Sequence, residues 1–217
     1  MVAILETVNP ARAEAPTYLM ISLLAAHVRV LIVGGGRAGY VKAKTCVARG
    51  CAVTVVSPTF RPEFAALPAE RLTCVTATYT PAHLARHQLV IIATNDMQVK
   101  QRIQADCEAA DKLYLTCHEA PAGQFVMPVS RDTAQAVLAV HTKAGSPHTA
   151  VFIADKLQET LQTYDEFIRC AAALRACLQG RADRAALLKI IHADEFLALC
   201  QRGEHHAFCQ QHDLPCV

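Results

Sequence analysis

The run VLIVGGGRAGYVKAK, Val30 to Lys44, decides the fold. Four apolar residues, Val30 to Val33, lead into three glycines and then into a segment with helical spacing. The apolar residues are mostly β-branched and do not alternate with polar ones, which predicts a strand buried on both faces. Gly34-Gly35-Gly36-Arg37-Ala38-Gly39 fits G-x-G-x-x-G between that strand and the helix expected over Arg37 to Arg49. In this context Gly34 permits a tight turn, Gly36 lets backbone approach a pyrophosphate, and Gly39 lets the helix pack close on the strand. The helix N-terminus then presents unpaired N–H groups and a positive dipole end to the phosphates.

Outward from this turn the same pattern repeats. Strands are expected at Val28 to Val33, Ala52 to Val56, Leu72 to Thr76, Leu89 to Ala93 and Leu113 to Cys117, with a helix over Val99 to Ala110. Strand and helix in alternation predict βαβ units and a parallel Rossmann-like sheet in an α/β fold. Ser57-Pro58 is expected to end the second strand. Beyond Pro128 the pattern changes: Ala136 to His141 reads as one more strand and TKAGSP, Thr142 to Pro147, as a turn-rich joint. From about Thr149 the chain reads as helical, with Ile153, Leu157 and Leu161 spaced by four and later stripes around Phe167 to Leu174 and Leu187 to Leu199.

The chain has 217 residues, 53% of them hydrophobic, enough for one α/β domain and a smaller appendage. Its 21 basic and 19 acidic residues form no cationic stripe, which argues against nucleic acid as a partner. Tyr18 to Ala26 is apolar but only nine residues long, against the ~20 a membrane span needs. No basic stretch precedes it, so a signal peptide is not expected either, and residues 1–17 read as a loose extension. The ten cysteines contain no C-x-x-C pair. Most fall on apolar faces or in strand-like runs, as free thiols of a reducing cytoplasm do. His205, His206 and His212 stand near Cys209 and Cys216 at no recognised ligand spacing, and read as a solvated tail.

At the end of the second strand NAD-binding Rossmann domains carry an acid for the ribose hydroxyls. Here that place holds Ser57-Pro58-Thr59. Thr59 and backbone groups remain to contact the ribose, and Arg61 is either a partner for a 2′-phosphate or a solvated loop residue.

Four stretches carry a family resemblance: VLIVGGGRAGYVKAKTCVARGCAVTVVSPTF, LVIIATNDMQVKQRI, QFVMPV and AVHTKAGSPHTA. In order and spacing they resemble precorrin-2 dehydrogenases, including the N-terminal part of siroheme synthases, over roughly Tyr18 to Leu199. The resemblance implies an NAD-binding Rossmann domain at 18–128, a small dimerisation region at 129–150 and a helical C-terminal domain at 151–217. It implies a homodimer that oxidises precorrin-2 to sirohydrochlorin with NAD⁺ in siroheme biosynthesis; some members also insert Fe²⁺ into the product. Carried over by position, the cofactor contacts fall at Gly34, Gly36, Arg37, Ala38, Pro58, Thr59 and Thr94.

The sequence departs from the family where the catalytic aspartate belongs, because that position is His118, followed by Glu119. A neutral imidazole can take the proton that the macrocycle loses as hydride leaves for the nicotinamide. It can also ligate a metal, with Glu119, His141 and His148 as candidates beside it, or it is a loop histidine in a protein that binds tetrapyrrole without oxidising it. Glu119 is a second candidate acid. The family's Ser-Ser-Gly-Gly joint is here His141-Thr142-Lys143-Ala144. For the many carboxylates of the tetrapyrrole substrate, the candidate donors are Arg131, Thr142 and Lys143, with Lys42 and Lys100 as weaker ones.

Overall fold

The structure is a computed structural model that describes residues 17–117, 122–143 and 145–214. The expected extension lies outside these residues except for Thr17, as do His118, Glu119, Ala144 and Cys216. The chain divides into two compact units between Met127 and Pro128.

In the first unit β1 (Arg29–Gly35), β2 (Ala52–Phe60), β3 (Leu72–Thr76), β4 (Leu89–Ile92) and β5 (Leu113–Thr116) form one parallel sheet. Their order is β3-β2-β1-β4-β5, so the chain reverses its direction of growth beside β1. Side chains of successive residues point to opposite faces. Val30 and Ile32 pack with Ala43, Cys46 and Val47 of α1 (Arg37–Ala48), while Leu31 and Val33 pack on the opposite face with Ile103 and Cys107 of α2 (Met97–Ala109). Both faces of β1 are covered, which is why its sequence is apolar without alternation. Truncating a side chain such as Ile32, fully buried here, would cost ~2–5 kcal/mol.

Two elements differ from expectation. β2 does not stop at Ser57-Pro58 but continues to Phe60, because Gly35 pairs with Phe60 after a register shift and its carbonyl accepts from the Arg61 N–H at 3.0 Å. Pro58 sits in that shifted stretch, where its missing N–H breaks no ladder bond with β1. α2 begins two residues before Val99 because Asp96 caps it, its carboxylate accepting from the N–H groups of Gln98 (2.9 Å) and Val99 (3.1 Å).

The second unit opens with an antiparallel pair, β6 (Val129–Asp132) and β7 (Val137–Val140). β7 was the strand expected at Ala136 to His141; β6 was not expected. Both pack on α3 (Pro147–Gln162), which Ser146 caps. Then follow α4 (Asp165–Cys177), α5 (Arg184–Ile191), α6 (Asp194–Arg202) and α7 (His205–Gln211). Leu174, Leu178, Ile191 and Phe196 centre their shared core. Gly203, at φ 72°, closes α6 in the left-handed region. Among the described residues, no helix is long and apolar enough to cross a membrane.

Candidate nucleotide site

The glycine turn lies at the carboxyl end of β1, where the sheet reverses. Three of its four glycines are required by the chain itself. A Cβ on Gly34, whose φ is +124°, would stand 2.5 Å from the carbonyl oxygen of Ala93. On Gly35 it would overlap the carbonyl oxygen of Thr59, and on Gly39 that of Gly34. Gly36 differs: its φ of −79° suits any residue, and a Cβ there would meet nothing within 4 Å. Among the described residues no neighbour excludes a side chain at Gly36, and the space above it is open at the head of α1. That is the fit expected of a backbone that a diphosphate must approach.

The expected cofactor positions fall around this point. Arg37 is the first residue of α1, exposed, and its side chain makes no hydrogen bond or ion pair among the described residues. Ala38 follows it, half-buried. Pro58 and Thr59 are exposed on the stretch of β2 that flanks Gly35. Thr94 follows β4, its backbone nitrogen beside Gly34, and its hydroxyl accepts from the Asp96 N–H at 3.2 Å. The fold thus gathers the ends of β1, β2 and β4 at one edge. Ser57, by contrast, is 7% exposed and turned inward.

Arg61 does not stand free. Its guanidinium donates to both carboxylate oxygens of Glu63, the shortest contact being 2.6 Å. Glu63 is thereby held below the usual carboxylate range, mainly by that hydrogen bond.

Beside the turn, Arg37, Ala38, Val41, Lys42 and Cys117 line an open depression of about 370 Å³. Sequence reasoning named Arg37 and Ala38, and Lys42 as a weaker candidate, but missed Cys117 and Val41. Val41 was expected on the inner face of α1 by its helical spacing with Ala38 and Val47, but it stands 50% exposed. Burial pushes the Cys117 thiol above its ordinary range, so it sits there as a neutral thiol rather than a thiolate nucleophile. Cys117 also anchors the end of β5, its N–H donating to the Ile92 carbonyl at 3.0 Å. His118 follows directly but lies outside the described residues.

The candidate substrate residues fall in both units. Lys100 is 7% exposed on α2, so it is not the surface cation the sequence suggested. Arg131 pairs with Asp155 at 2.7 Å and also donates to the Ser130 carbonyl at 3.0 Å. The Thr142 hydroxyl accepts from the Ser146 N–H at 3.0 Å and donates to its carbonyl at 3.3 Å, which makes it part of the turn before α3. Lys143 is exposed. His141 is half-buried at the end of β7, and His148 is exposed on the first turn of α3.

A parallel sheet with its glycine turn at the switch point, carrying a separate unit of strand pair and helices, defines a nucleotide-binding α/β protein. The family model described as "Putative NAD(P)-binding" matches residues 21–129, half of the chain, and the chain belongs to that family. Siroheme synthase of Chromobacterium violaceum is 32% identical over 158 residues, covering 71% of this chain and 33% of that protein. Siroheme synthase of Salmonella schwarzengrund is 35% identical over 151 residues, covering 67% and 32%. The chain therefore spans about a third of the length of the curated relatives it matches. Among solved structures, "SirC, precorrin-2 dehydrogenase" superposes with a TM-score of 0.67 at 22% identity, over 88% of this chain and 98% of that one, and shares the fold. These relatives bear out the resemblance read from the motifs.

Proposed function

We propose that the chain is an NAD⁺-dependent precorrin-2 dehydrogenase of siroheme biosynthesis. The observation that carries this reading is the open face of Gly36 at the head of α1, together with the siroheme synthases among the chain's relatives. Bound NAD⁺ supplies the hydride acceptor. Gly34, Gly36, Arg37 and Ala38 hold its diphosphate through backbone N–H groups and the helix dipole. Pro58, Thr59 and Thr94 border the ribose. The Arg61–Glu63 pair favours NAD⁺ over NADP⁺, since a 2′-phosphate would meet a guanidinium already taken by a carboxylate.

His118 is the base in this proposal. What supports it is its sequence position, where the resemblance puts the family's catalytic aspartate, directly after Cys117, which lines the depression with Arg37 and Lys42. A positioned base contributes typically ~10²–10⁴-fold to the rate. Arg131, Thr142 and Lys143 take the substrate carboxylates, with Lys143 the most accessible of the three.

Residues 129–150 form the dimerisation region, between a Rossmann domain at 18–128 and a helical domain at 151–217. The exposed apolar side chains of α3 (Val151, Phe152, Ile153 and Leu157), with Val137 of β7, support a homodimer. All nine described cysteines are free thiols, in keeping with a reducing cytoplasm.

The test is anaerobic incubation with precorrin-2 and NAD⁺. The sirohydrochlorin spectrum and NADH should appear together. A folded protein that binds sirohydrochlorin but reduces no NAD⁺ would instead mark a tetrapyrrole carrier. Metal insertion into sirohydrochlorin without NAD⁺ would mark a chelatase.

A further inference from the structure

Far along the sequence from the nucleotide turn, the helical core of the second unit holds a polar cluster that the proposed oxidation does not use. Cys170 of α4, Cys200 of α6 and His205, the first residue of α7, are all buried. Their Sγ, Sγ and imidazole nitrogen atoms all lie within 4.8 Å of one another. His205 is 3% exposed, and neither of its ring nitrogens has a hydrogen-bond partner among the described residues. The expected solvated tail is therefore wrong at this residue: α7 folds back and inserts His205 and Cys209 into the core beside Phe196 and Leu174. A buried imidazole with both nitrogens unsatisfied is costly, and a bound ion or water is what ordinarily satisfies one.

A carboxylate stands on the open side of the same cluster. Glu166, one turn before Cys170 on α4, places Oε1 3.5 Å from the Cys170 Sγ and 3.6 Å from the His205 Nε2. Arg169 fixes it there through contacts of 2.6 and 3.0 Å. Four ligands tetrahedrally placed about an ion at ~2.0–2.3 Å are separated from each other by about 3.3–3.8 Å. The spacings around Glu166 fall in that range, and the three buried atoms, within 4.8 Å of one another, need draw together by no more than about 1–1.5 Å to reach it.

We propose that Cys170, Cys200 and His205, with Glu166 at the fourth position, bind one zinc-class divalent ion that ties α4, α6 and α7 together. Two thiolates, one imidazole and one carboxylate form a donor set suited to Zn²⁺ or Co²⁺ and poorly suited to Mg²⁺ or Ca²⁺. Binding displaces the two thiol protons to solvent as the sulfurs become ligands, with no change of oxidation state. Arg169, bonded to Glu166 rather than to the ion, holds the carboxylate in register. The ion is structural and independent of the nucleotide site, so it stands or falls separately from the proposed oxidation.

The full chain, purified with a phosphine reductant and freed of metal by chelation, would be titrated with Co²⁺ alone and then with Zn²⁺. The expected result is one Co²⁺ per chain, with a thiolate-to-cobalt charge-transfer band in the near ultraviolet and strong visible bands of tetrahedral cobalt, all abolished by Zn²⁺. Cys200→Ser and His205→Ala should each lose or shift these bands, while Cys177→Ser, at an exposed thiol, should keep them. Circular dichroism of the helices checks folding of each variant, and the wild-type titration decides the matter by itself if a variant does not fold. Folded wild-type protein without the near-ultraviolet band, bands that survive both substitutions, or a Cys170–Cys200 disulfide in place of metal would each overturn the site. NAD⁺ calorimetry on the same samples reads the nucleotide site separately.

Discussion

A methyl group on Gly39 would overlap the carbonyl oxygen of Gly34, so the first turn of α1 rests directly on the end of β1. The contact is backbone against backbone and cannot be relieved by moving a side chain. Gly39→Ala should therefore destabilise the protein by at least the ~1–3 kcal/mol typical of overpacking, read as a lower urea midpoint. Gly36→Ala has no such neighbour. It should cost less than about 1 kcal/mol yet weaken nucleotide binding by tenfold or more. Equal losses of stability in the two variants would contradict this division of roles.

The Arg61–Glu63 pair predicts cofactor preference. Glu63→Gln removes the charge that occupies the guanidinium. The pair is exposed and hence weak, so the expected change is modest: NADP⁺ affinity should rise several-fold, with NAD⁺ affinity nearly unchanged. Calorimetry with both nucleotides checks it.

The exposed face of α3 predicts self-association. Phe152 is 65% exposed and Leu157 47%, and charge placed on that face should oppose pairing. Phe152→Asp with Leu157→Asp should turn a dimer into a folded monomer, seen by light scattering. A monomeric wild-type chain at micromolar concentration would contradict the reading.

Asp165 predicts an acid-sensitive turn. Its carboxylate accepts from the Thr133 hydroxyl at 2.6 Å and from the N–H groups of Ala134 and Gln135 at 3.1 Å, tying the β6–β7 turn to the head of α4. The Thr133 hydrogen bond, aided by the two N–H groups, holds this carboxyl below its ordinary value. A depressed folded-state pKa means the stabilisation is present above the ordinary aspartate pKa of ~3.9 and is lost as pH falls through the lower folded value. Urea midpoints of wild type should fall more steeply than those of Asp165→Asn between about pH 5 and 2; parallel curves would refute it.

His118 predicts a loss of rate without a loss of affinity. His118→Ala should lower turnover by ~10²-fold or more with NAD⁺ binding unchanged. An unaltered rate would move the role of base elsewhere, with Glu119 the next residue to replace.

How much of this was legible in the sequence depended on the range of the forces involved. β1, α1 and the glycine turn were readable because strand, turn and helix head are contiguous; that Gly34 and Gly35 are also required by Ala93 and Thr59, from other strands, was not. β2 was read short because its last residues are held by Gly35, a partner from another strand, against the local signal of Pro58. β6 was missed because Val129-Ser130-Arg131-Asp132 has one apolar residue and no alternation; only pairing with β7 makes it a strand. Lys100 and His205 were read as exposed because polar residues usually are. The cluster at Cys170, Cys200 and His205 had no linear signature at all, since three separate helices bring it together.

The central claim is that a nicotinamide dinucleotide rests on the backbone of Gly34 to Ala38, and calorimetric titration of the purified chain with NAD⁺ and NADH tests it most directly. One nucleotide should bind per chain, with affinity reduced at least tenfold in Gly36→Ala while the melting temperature of that variant stays close to wild type. Absence of heat from either nucleotide on a folded protein, or undiminished binding in Gly36→Ala, would contradict the account.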